Sequence, residues 1–178
     1  MTCAPLYIID SNILIESNRL DYGFDICPGF WSLMLKGFET GLVVSHRKVF
    51  DELRKGSDEL SEWVNAIPLS SFPEENEDEF AVYRGLCDWS ARQAYRPAAV
   101  AKFCDNDYAD PWICAKAKCM QLTLVTQERS EPLAKRDVKL PDACKSIDVS
   151  CINKYELLRK LRAKFVLDGM HEFDSNPH

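Results

Sequence analysis

The chain has 178 residues, of which 46% are hydrophobic and 28% are charged, and this balance predicts one folded globular domain. Its apolar runs are too short for a membrane-spanning helix, and its start lacks the basic and apolar pattern of a secretory leader, so we expect a soluble cytoplasmic protein without a membrane partner. The net charge of −6 gives no overall basic footprint for nucleic acid, so such a partner would have to be bound by local basic groups.

Eight cysteines are present, a high number for this length. None of them forms a CxxC pair or a Cys/His spacing typical of zinc sites, and free buried thiols are expected without a secretory leader. The histidines are His46, His171 and His178, and the last two lie in a polar tail. The sequence therefore does not favour catalysis by a cysteine–histidine pair, and we interpret His46 as structural.

The amino-terminal half predicts strands that alternate with helices. Residues 29–39 carry aromatic and aliphatic side chains at helical spacing, which indicates an amphipathic helix whose apolar face packs in the core or meets a partner. The predicted elements, in chain order, are a strand over residues 6–9 that ends at Asp10, a helix over 11–18, the helix over 29–39, a strand over 42–44, a helix capped by Ser45 and ended by Gly56, and a short helix over 58–66.

The carboxyl-terminal half continues this alternation. Asp110 followed by Pro111 is typical of a helix start, with Asp as the N-cap and proline at the first helical position. The predicted elements are a helix over residues 74–95 stopped by Pro97, the helix from Asp110 to Cys119, a strand over 122–125, an irregular segment over 129–145, a strand over 147–152 and a helix capped by Asn153 that ends near Leu167.

The order of the elements predicts an α/β fold with three layers, α/β/α, around a mostly parallel sheet of about four or five strands. We interpret residues 1–168 as a single domain that contains a helical insertion over about 57–100. Residues 169–178 are polar and are expected to form a flexible tail.

Four acidic residues occupy comparable places in this fold. They are Asp10 at the end of the first strand, Glu52 in the helix after the second strand, Asp110 at a helix start and Glu128 just after the third strand. Strand ends and helix starts share one edge of a parallel sheet, so these side chains are expected to meet around one cavity. Several carboxylates stay ionised together only beside a cation, and Mg²⁺ or Mn²⁺ prefers oxygen ligands, so the pattern predicts a metal site.

The motifs around these acids resemble those of PIN-domain proteins. The resemblance rests on four ordered blocks, which are Tyr7–Leu14, Ser45–Leu53, Ala109–Ala117 and Leu122–Glu128. It covers most of residues 5–152 and is closest to a PIN-like branch, many of whose members are regarded as toxins of type II toxin–antitoxin pairs. It implies a metal-dependent endoribonuclease that hydrolyses RNA phosphodiester bonds with one or two Mg²⁺ or Mn²⁺ ions.

The resemblance also implies roles for the four acids. Asp10, Glu52 and Asp110 match the three near-constant acids of the family, and Glu128 stands where the family often has Asp. These four are the expected catalytic residues and metal ligands. Each has a structural alternative, because Glu52 also suits a helix surface, Asp110 a simple N-cap and Glu128 a loop. Asp10 is the hardest to explain without a function, since burying an unpaired carboxylate is costly.

Further residues are expected to assist. Asp107 is an alternative metal ligand, although a solvated loop acid explains it as well, and Asn12 and Thr126 are supporting polar residues beside the site. Lys116 and Lys118 are expected to contact substrate phosphate, although lysines on a helix also serve solubility alone. The implied partners are an RNA substrate, a cognate antitoxin protein and a second copy of the chain in a homodimer.

Two other protein classes share part of this pattern, and a non-enzymatic function is a third alternative. A phosphatase of the haloacid-dehalogenase type also ends its first strand with an acid, but its Asp-x-Asp motif is broken here because residue 12 is Asn. A response-regulator receiver needs an acidic pair that is absent near the first strand. The non-enzymatic alternative is a catalytically inactive PIN-like module that binds RNA or a protein partner.

Overall fold

The computed structural model describes residues 6–166, and the tail expected over 169–178 lies outside the described residues. The strands are β1 (Tyr7–Ile9), β2 (Val43–Val44), β3 (Thr123–Val125) and β4 (Cys151–Ile152). The α-helices are α1 (Ser11–Glu16), α2 (Pro28–Glu39), α3 (Arg47–Leu53), α4 (Glu59–Val64), α5 (Glu77–Ala91), α6 (Pro97–Phe103), α7 (Ala109–Cys119), α8 (Leu140–Ser146) and α9 (Lys154–Lys160).

The four strands form one parallel sheet in the order β2-β1-β3-β4. Tyr7 pairs with Val43 on one side and with Thr123 on the other, and Leu124 pairs with Cys151. The chain leaves β1 towards β2 and later crosses back to β3 on the other side of β1. The carboxyl ends of β1 and β3 therefore border a point where the strand order reverses, and open α/β sheets bind ligands at such a crevice.

The predicted fold class is confirmed, with the sheet as the middle of three α/β/α layers. The strands are short apolar runs because both faces of a covered parallel sheet are buried, as the complete burial of Ile8, Ile9 and Leu124 illustrates. The apolar face of α2 joins the same core through Phe30 and Met34, which are also buried. This face therefore stabilises the fold and offers no surface to a partner.

Two helices were not expected from the sequence. Pro97 ends the preceding helical segment, as predicted, but it also begins α6, because proline suits the first turn of a helix. In the same way α8 carries Pro141 in its first turn and lies within the segment predicted to be irregular. The capping of α9 by Asn153 is confirmed, with Glu156 completing a capping box.

His46, and not Ser45, is the N-cap of α3. The Nδ1 atom of His46 accepts a hydrogen bond from the amide of Lys48 at 3.2 Å, while the Ser45 hydroxyl donates to the carbonyl oxygen of Ile9 at 2.7 Å. Burial, followed by the charges of neighbouring lysines, lowers the pKa of His46 to about 3, so the ring stays neutral and Nδ1 can accept. The structural interpretation of His46 is confirmed, and Ser45 ties the end of β2 to the end of β1.

The residues between β2 and β3 are largely helical. Helix α5 packs along α7, and α6 packs against α5, so this part of the chain belongs to the same body as the sheet. The interpretation of residues 57–100 as an insertion stays a prediction. None of the described helices is long and apolar enough to cross a membrane.

Candidate active site

Asp10 lies at the carboxyl end of β1, where its amide donates to the carbonyl oxygen of Val125 and continues the ladder between β1 and β3. Its side chain is buried. Oδ2 accepts a hydrogen bond from the Thr126 hydroxyl at 3.1 Å, and Oδ1 lies 3.3 Å from the hydroxyl of Ser11. The two hydroxyls hold the carboxylate at the point where the strand order reverses.

Helix α7 brings Asp110 to the same edge of the sheet. The helix begins at Ala109, with Tyr108 as a cap residue that makes no side-chain cap hydrogen bond. The prediction that Asp110 is the N-cap is therefore wrong by two positions. Asp110 lies in the first turn of the helix, and the neighbouring Tyr108 side chain favours the charged form of its carboxylate.

A cleft of about 350 Å³ opens at this edge, and we call it the catalytic cleft after the role that we propose for it. Asp10 lies buried beside its wall. The walls include five residues predicted for the site together with two lysines and a tyrosine, namely Asn12, Glu52, Asp107, Asp110, Glu128, Lys48, Lys55 and Tyr108. The fold thus brings the predicted acids to a single cleft.

Glu128 is held on the far side of the catalytic cleft. Its Oε2 accepts a hydrogen bond from the amide of Leu140, at the start of α8, at 2.8 Å, and its Oε1 lies 3.7 Å from the ammonium of Lys139. The Glu128 amide donates to the Thr126 hydroxyl at 3.2 Å. This geometry favours an outer role for Glu128, in which its charge acts on the other carboxylates through space.

Burial and neighbouring charges raise the pKa of Asp10 and of Asp110. Burial is the main cause that raises the pKa of Asp10 to about 6; the hydrogen bond from Thr126 opposes the rise, and the charges of Glu128 and Glu52 add to it. Burial and then the charge of Asp10 raise the pKa of Asp110 to about 8. Buried acids in such a cleft are costly to ionise together, and a cation relieves that cost.

The groups in the cleft fit a hard divalent cation. They are carboxylate, amide and hydroxyl oxygens, which Mg²⁺ and Mn²⁺ prefer, and no cysteine or histidine is among the described lining residues. Within residues 6–166, no three Asp, Glu, His or Cys side chains already converge as a complete ligand set. Asp10 is the charged group that acts most strongly on Asp110, so this pair is the centre of the candidate metal site.

Neither lysine that was predicted to contact phosphate lies in the cleft. Lys116 is 1% exposed, and its ammonium donates to Oε1 of buried Glu79 at 2.7 Å and to the carbonyl oxygen of Glu74 at 2.9 Å. Lys118 lies beside the start of β3, at the opposite end of α7. Both predictions are wrong, because the buried ion pair with Glu79 engages Lys116 and eight residues of helix carry Lys118 about 12 Å along the axis from Asp110.

Lys48 and Lys55 are the lysines that line the cleft, and the sequence had not singled them out as site residues. The signal was their spacing, since residues 48, 52 and 55 fall on one face of a helix. Lys48 lies 3.8 Å from Oε1 of Glu75 and 5.7 Å from the ring of Trp112, which hold it at the cleft wall. Two cations therefore flank Glu52.

Comparison with known proteins gives a family and two similar structures. Residues 7–165 match the family described as domain of unknown function, DUF4411. No curated protein matches the chain. The structure of PAE2754 from Pyrobaculum aerophilum is similar with 17% identity and a TM-score of 0.51, covering 91% of this chain and 100% of that one.

The structure of FitAcB from Neisseria gonorrhoeae is similar with 19% identity and a TM-score of 0.50, covering 84% of this chain and 99% of that one. At these identities the likeness concerns the fold alone. Both similarities extend over nearly the whole of the compared chains, and they support the PIN-like fold that the motifs predicted.

Proposed function

We propose that this chain, which belongs to the DUF4411 family, is a divalent-metal-dependent endoribonuclease that hydrolyses RNA phosphodiester bonds. The observation that carries the proposal is the pair of Asp10 and Asp110. Burial and the charges of Glu128 and Glu52 raise the pKa of Asp10 to about 6, and burial and the charge of Asp10 raise the pKa of Asp110 to about 8, at the crevice where a parallel sheet binds ligands. Strongly perturbed acids in a cleft are typical of functional sites.

The chemistry follows from what phosphodiester hydrolysis requires. Asp10 and Asp110 would hold one Mg²⁺ or Mn²⁺ ion, with Glu52 available for a second ion or for orienting water. A bound divalent ion supplies an activated water and offsets negative charge on the phosphorus oxygens. Thr126 fixes the orientation of Asp10, as a neighbouring hydrogen-bond donor does for a ligand in many metal sites.

Substrate binding would fall to the cations of the cleft. Lys48 and Lys55 stand on either side of Glu52 and can pair with phosphate oxygens next to the bond that is cut. Glu128, Asp107 and Asn12 would complete the outer part of the site. The negative net charge of the chain makes such local cations necessary for any polyanionic substrate.

The test is cleavage of structured and single-stranded RNA with Mn²⁺ or Mg²⁺, with EDTA added in a parallel reaction. Wild type and the matched control Asp51→Asn, an exposed acid beside Glu52, are expected to cut, and Asp10→Asn is expected to be inactive. Cleavage that persists in folded Asp10→Asn or in EDTA would exclude this mechanism. Absence of cleavage by folded wild type would favour the inactive module that binds RNA or a protein.

We further propose that the nuclease is the toxin of a type II toxin–antitoxin pair, as the resemblance to the toxin-type PIN branch implies. A cognate antitoxin would cover the catalytic cleft, and an arginine of the antitoxin would pair with the exposed carboxylates. Induced expression of wild type is expected to arrest growth, whereas Asp10→Asn is expected to leave growth unchanged. Equal growth of both strains, with equal amounts of soluble protein, would contradict the toxin proposal.

A further inference from the structure

A second cavity lies next to the catalytic cleft, and Glu128 lines both. This side cavity has a volume of about 340 Å³ and shares Thr126 and Glu128 with the site just described, since Thr126 lines it and also bonds to Asp10. It lies along the carboxyl ends of β3 and β4, between the loop after β3 and the start of α9. Its volume lies at the lower end of the range for small-ligand sites, which suits a single nucleotide.

The side cavity is rich in hydrogen-bond donors. Arg129 lines it and is exposed, and no ion pair within residues 6–166 involves Arg129. The side chains of Asn153 and Gln127 also line the cavity. Their oxygens already accept hydrogen bonds, Oδ1 of Asn153 from the backbone amide of Glu156 and Oε1 of Gln127 from the backbone amide of Lys154. The amide NH₂ groups of both side chains are left to meet a ligand.

An aromatic ring completes the side cavity. Tyr155 lines it and is 41% exposed, while its hydroxyl lies 3.4 Å from Oδ1 of Asp21, which anchors one end of the ring. A partly exposed and anchored ring offers a flat face for a base, and such stacking is a main source of affinity in proteins that bind single strands.

From these features we propose that the side cavity binds a guanine base of the RNA strand, next to the phosphodiester bond that is cut. The inference rests on the proposed nuclease function. Arginine forms two parallel hydrogen bonds with the O6 and N7 acceptors of guanine, whereas adenine presents a donor at the equivalent position. The free guanidinium and the two amide NH₂ groups suit the O6 and N7 acceptors of guanine, and the carboxylates of Glu128 and Glu156, which also line the cavity, suit its amino group.

The position next to the cleft connects base recognition with cleavage. Thr126 contacts Asp10 directly and also lines the side cavity. Glu128 lines both the side cavity and the catalytic cleft, so a nucleotide seated in the side cavity lies next to the cleft. The enzyme would then cut preferentially beside guanine.

The first experiment compares cleavage of a pool of RNA oligonucleotides by wild type, Arg129→Ala, Tyr155→Ala and Tyr155→Phe, with the ends of the products sequenced. Wild type is expected to prefer guanine over adenine beside the cut by about tenfold, as a good arginine–guanine contact allows. Arg129→Ala is expected to lose this preference, and Tyr155→Ala to lower cleavage about fivefold or more through lost stacking. Tyr155→Phe keeps the ring but loses the hydroxyl near Asp21, so it is expected to lower cleavage less than Tyr155→Ala does.

Arg84→Ala is the matched control, because Arg84 is an exposed arginine of α5 that lines neither the catalytic cleft nor the side cavity. It is expected to keep the wild-type profile. An unchanged preference for guanine in Arg129→Ala, or a wild type without base preference, would overturn the inference while leaving the nuclease proposal intact.

A binding measurement keeps the two proposals separate. Fluorescence anisotropy in EDTA, where a metal-dependent enzyme does not cut, compares labelled oligonucleotides that differ by one guanine or adenine. Tighter binding of the guanine form by wild type, lost in Arg129→Ala, would support the inference even if no cleavage is ever observed. Equal binding of both forms would overturn it, whatever the activity. Hydrolysis of bis(p-nitrophenyl) phosphate by wild type, a diester without bases, tests the nuclease proposal alone.

Discussion

At the scale of single residues, the two central acids of the catalytic cleft oppose folding. Asp10 and Asp110 are desolvated and repel each other, and their raised pKa values express the free energy needed to ionise them in the folded chain. A core built for stability alone would not place two carboxylates side by side. This trade of stability for function is common at active sites.

Asp110→Asn is expected to stabilise the metal-free protein at pH 8 while abolishing cleavage. The substitution removes a carboxylate whose ionisation is opposed by burial, and the free energy of unfolding should rise by at least about 1.4 kcal/mol, the equivalent of one pKa unit. Urea unfolding in EDTA measures it. The gain should shrink at pH 5, where Asp110 of the folded wild type keeps its proton. A loss of stability at pH 8, or an equal gain for Asp51→Asn, would contradict this account.

Lys116 illustrates a different use of a buried charge. Its ion pair with Glu79 is almost completely removed from solvent, and Oε2 of Glu79 has no partner among the described residues. Lys116→Ala would leave Glu79 buried and unpaired, so it is expected to destabilise the protein by about 3–5 kcal/mol. The double variant Lys116→Met/Glu79→Leu is expected to recover most of that loss and to retain nuclease activity. Thermal unfolding measures the stability of each variant, and RNA cleavage measures its activity. A double variant that is stable but inactive would support the original prediction that Lys116 contacts the substrate.

At the scale of elements, α3 is the part of the fold that provides both charge signs of the catalytic cleft. His46 caps the helix and Ser45 joins its start to the end of β1, so the helix is fixed relative to Asp10. One face then presents Lys48, Glu52 and the nearby Lys55 to the cleft. The local capping of a seven-residue helix thus fixes where the proposed phosphate contacts lie.

Lys55→Ala is expected to lower kcat/KM for RNA by about tenfold. The slope of log activity against log salt concentration should become shallower by about one, the equivalent of one lost phosphate contact. The matched control is Lys118→Ala, since Lys118 is an exposed lysine at the opposite edge of the sheet. Cleavage measured from low to high salt compares the two slopes. An effect of Lys118→Ala as large as that of Lys55→Ala would mean that the substrate is not held by the cleft lysines.

At the scale of the whole molecule, the two acids link stability to pH and, on the proposed function, to a metal ion. Their folded-state pKa values, about 6 for Asp10 and about 8 for Asp110, exceed the ordinary value of 3.8. The folded chain therefore binds protons more tightly than the unfolded chain does. The stability that these protonated acids contribute is complete below pH 3.8 and is lost as the pH rises towards 8.

Mn²⁺ is accordingly expected to stabilise the protein much more at pH 8 than at pH 5, where it competes with protons. At a hundredfold excess over its Kd the gain is about 2.7 kcal/mol, or a rise in Tm of roughly 5–10 °C for a chain of this size. Thermal unfolding with Mn²⁺ or EDTA at both pH values tests this. The double variant Asp10→Asn/Asp110→Asn should show no shift with Mn²⁺, and a shift equal to that of wild type would place the metal elsewhere.

The sequence by itself determined the class of fold and the edge at which the site lies. Alternating strands and helices imply a parallel sheet, and the geometry of such a sheet carries residues after strands and at helix starts to one edge. Asp10, Glu52, Asp110 and Glu128 could therefore be expected there from position alone. The spacing of apolar residues along the chain predicts each strand and helix. This spacing is a local property, so it can be interpreted without knowing how the helices pack.

Only the tertiary structure decided what each side chain contacts at that edge. Lys116 looked like a substrate contact until α5 placed Glu79 against it, and Glu128 looked like a direct ligand until α8 supplied the amide of Leu140. The hydrogen bond from Thr126 to Asp10 joins residues 116 positions apart. Such partners depend on which helix faces meet after folding, and burial among them sets the pKa values. Since neither contact nor burial is encoded in a local stretch of sequence, the electrostatics of the site could not be read from it.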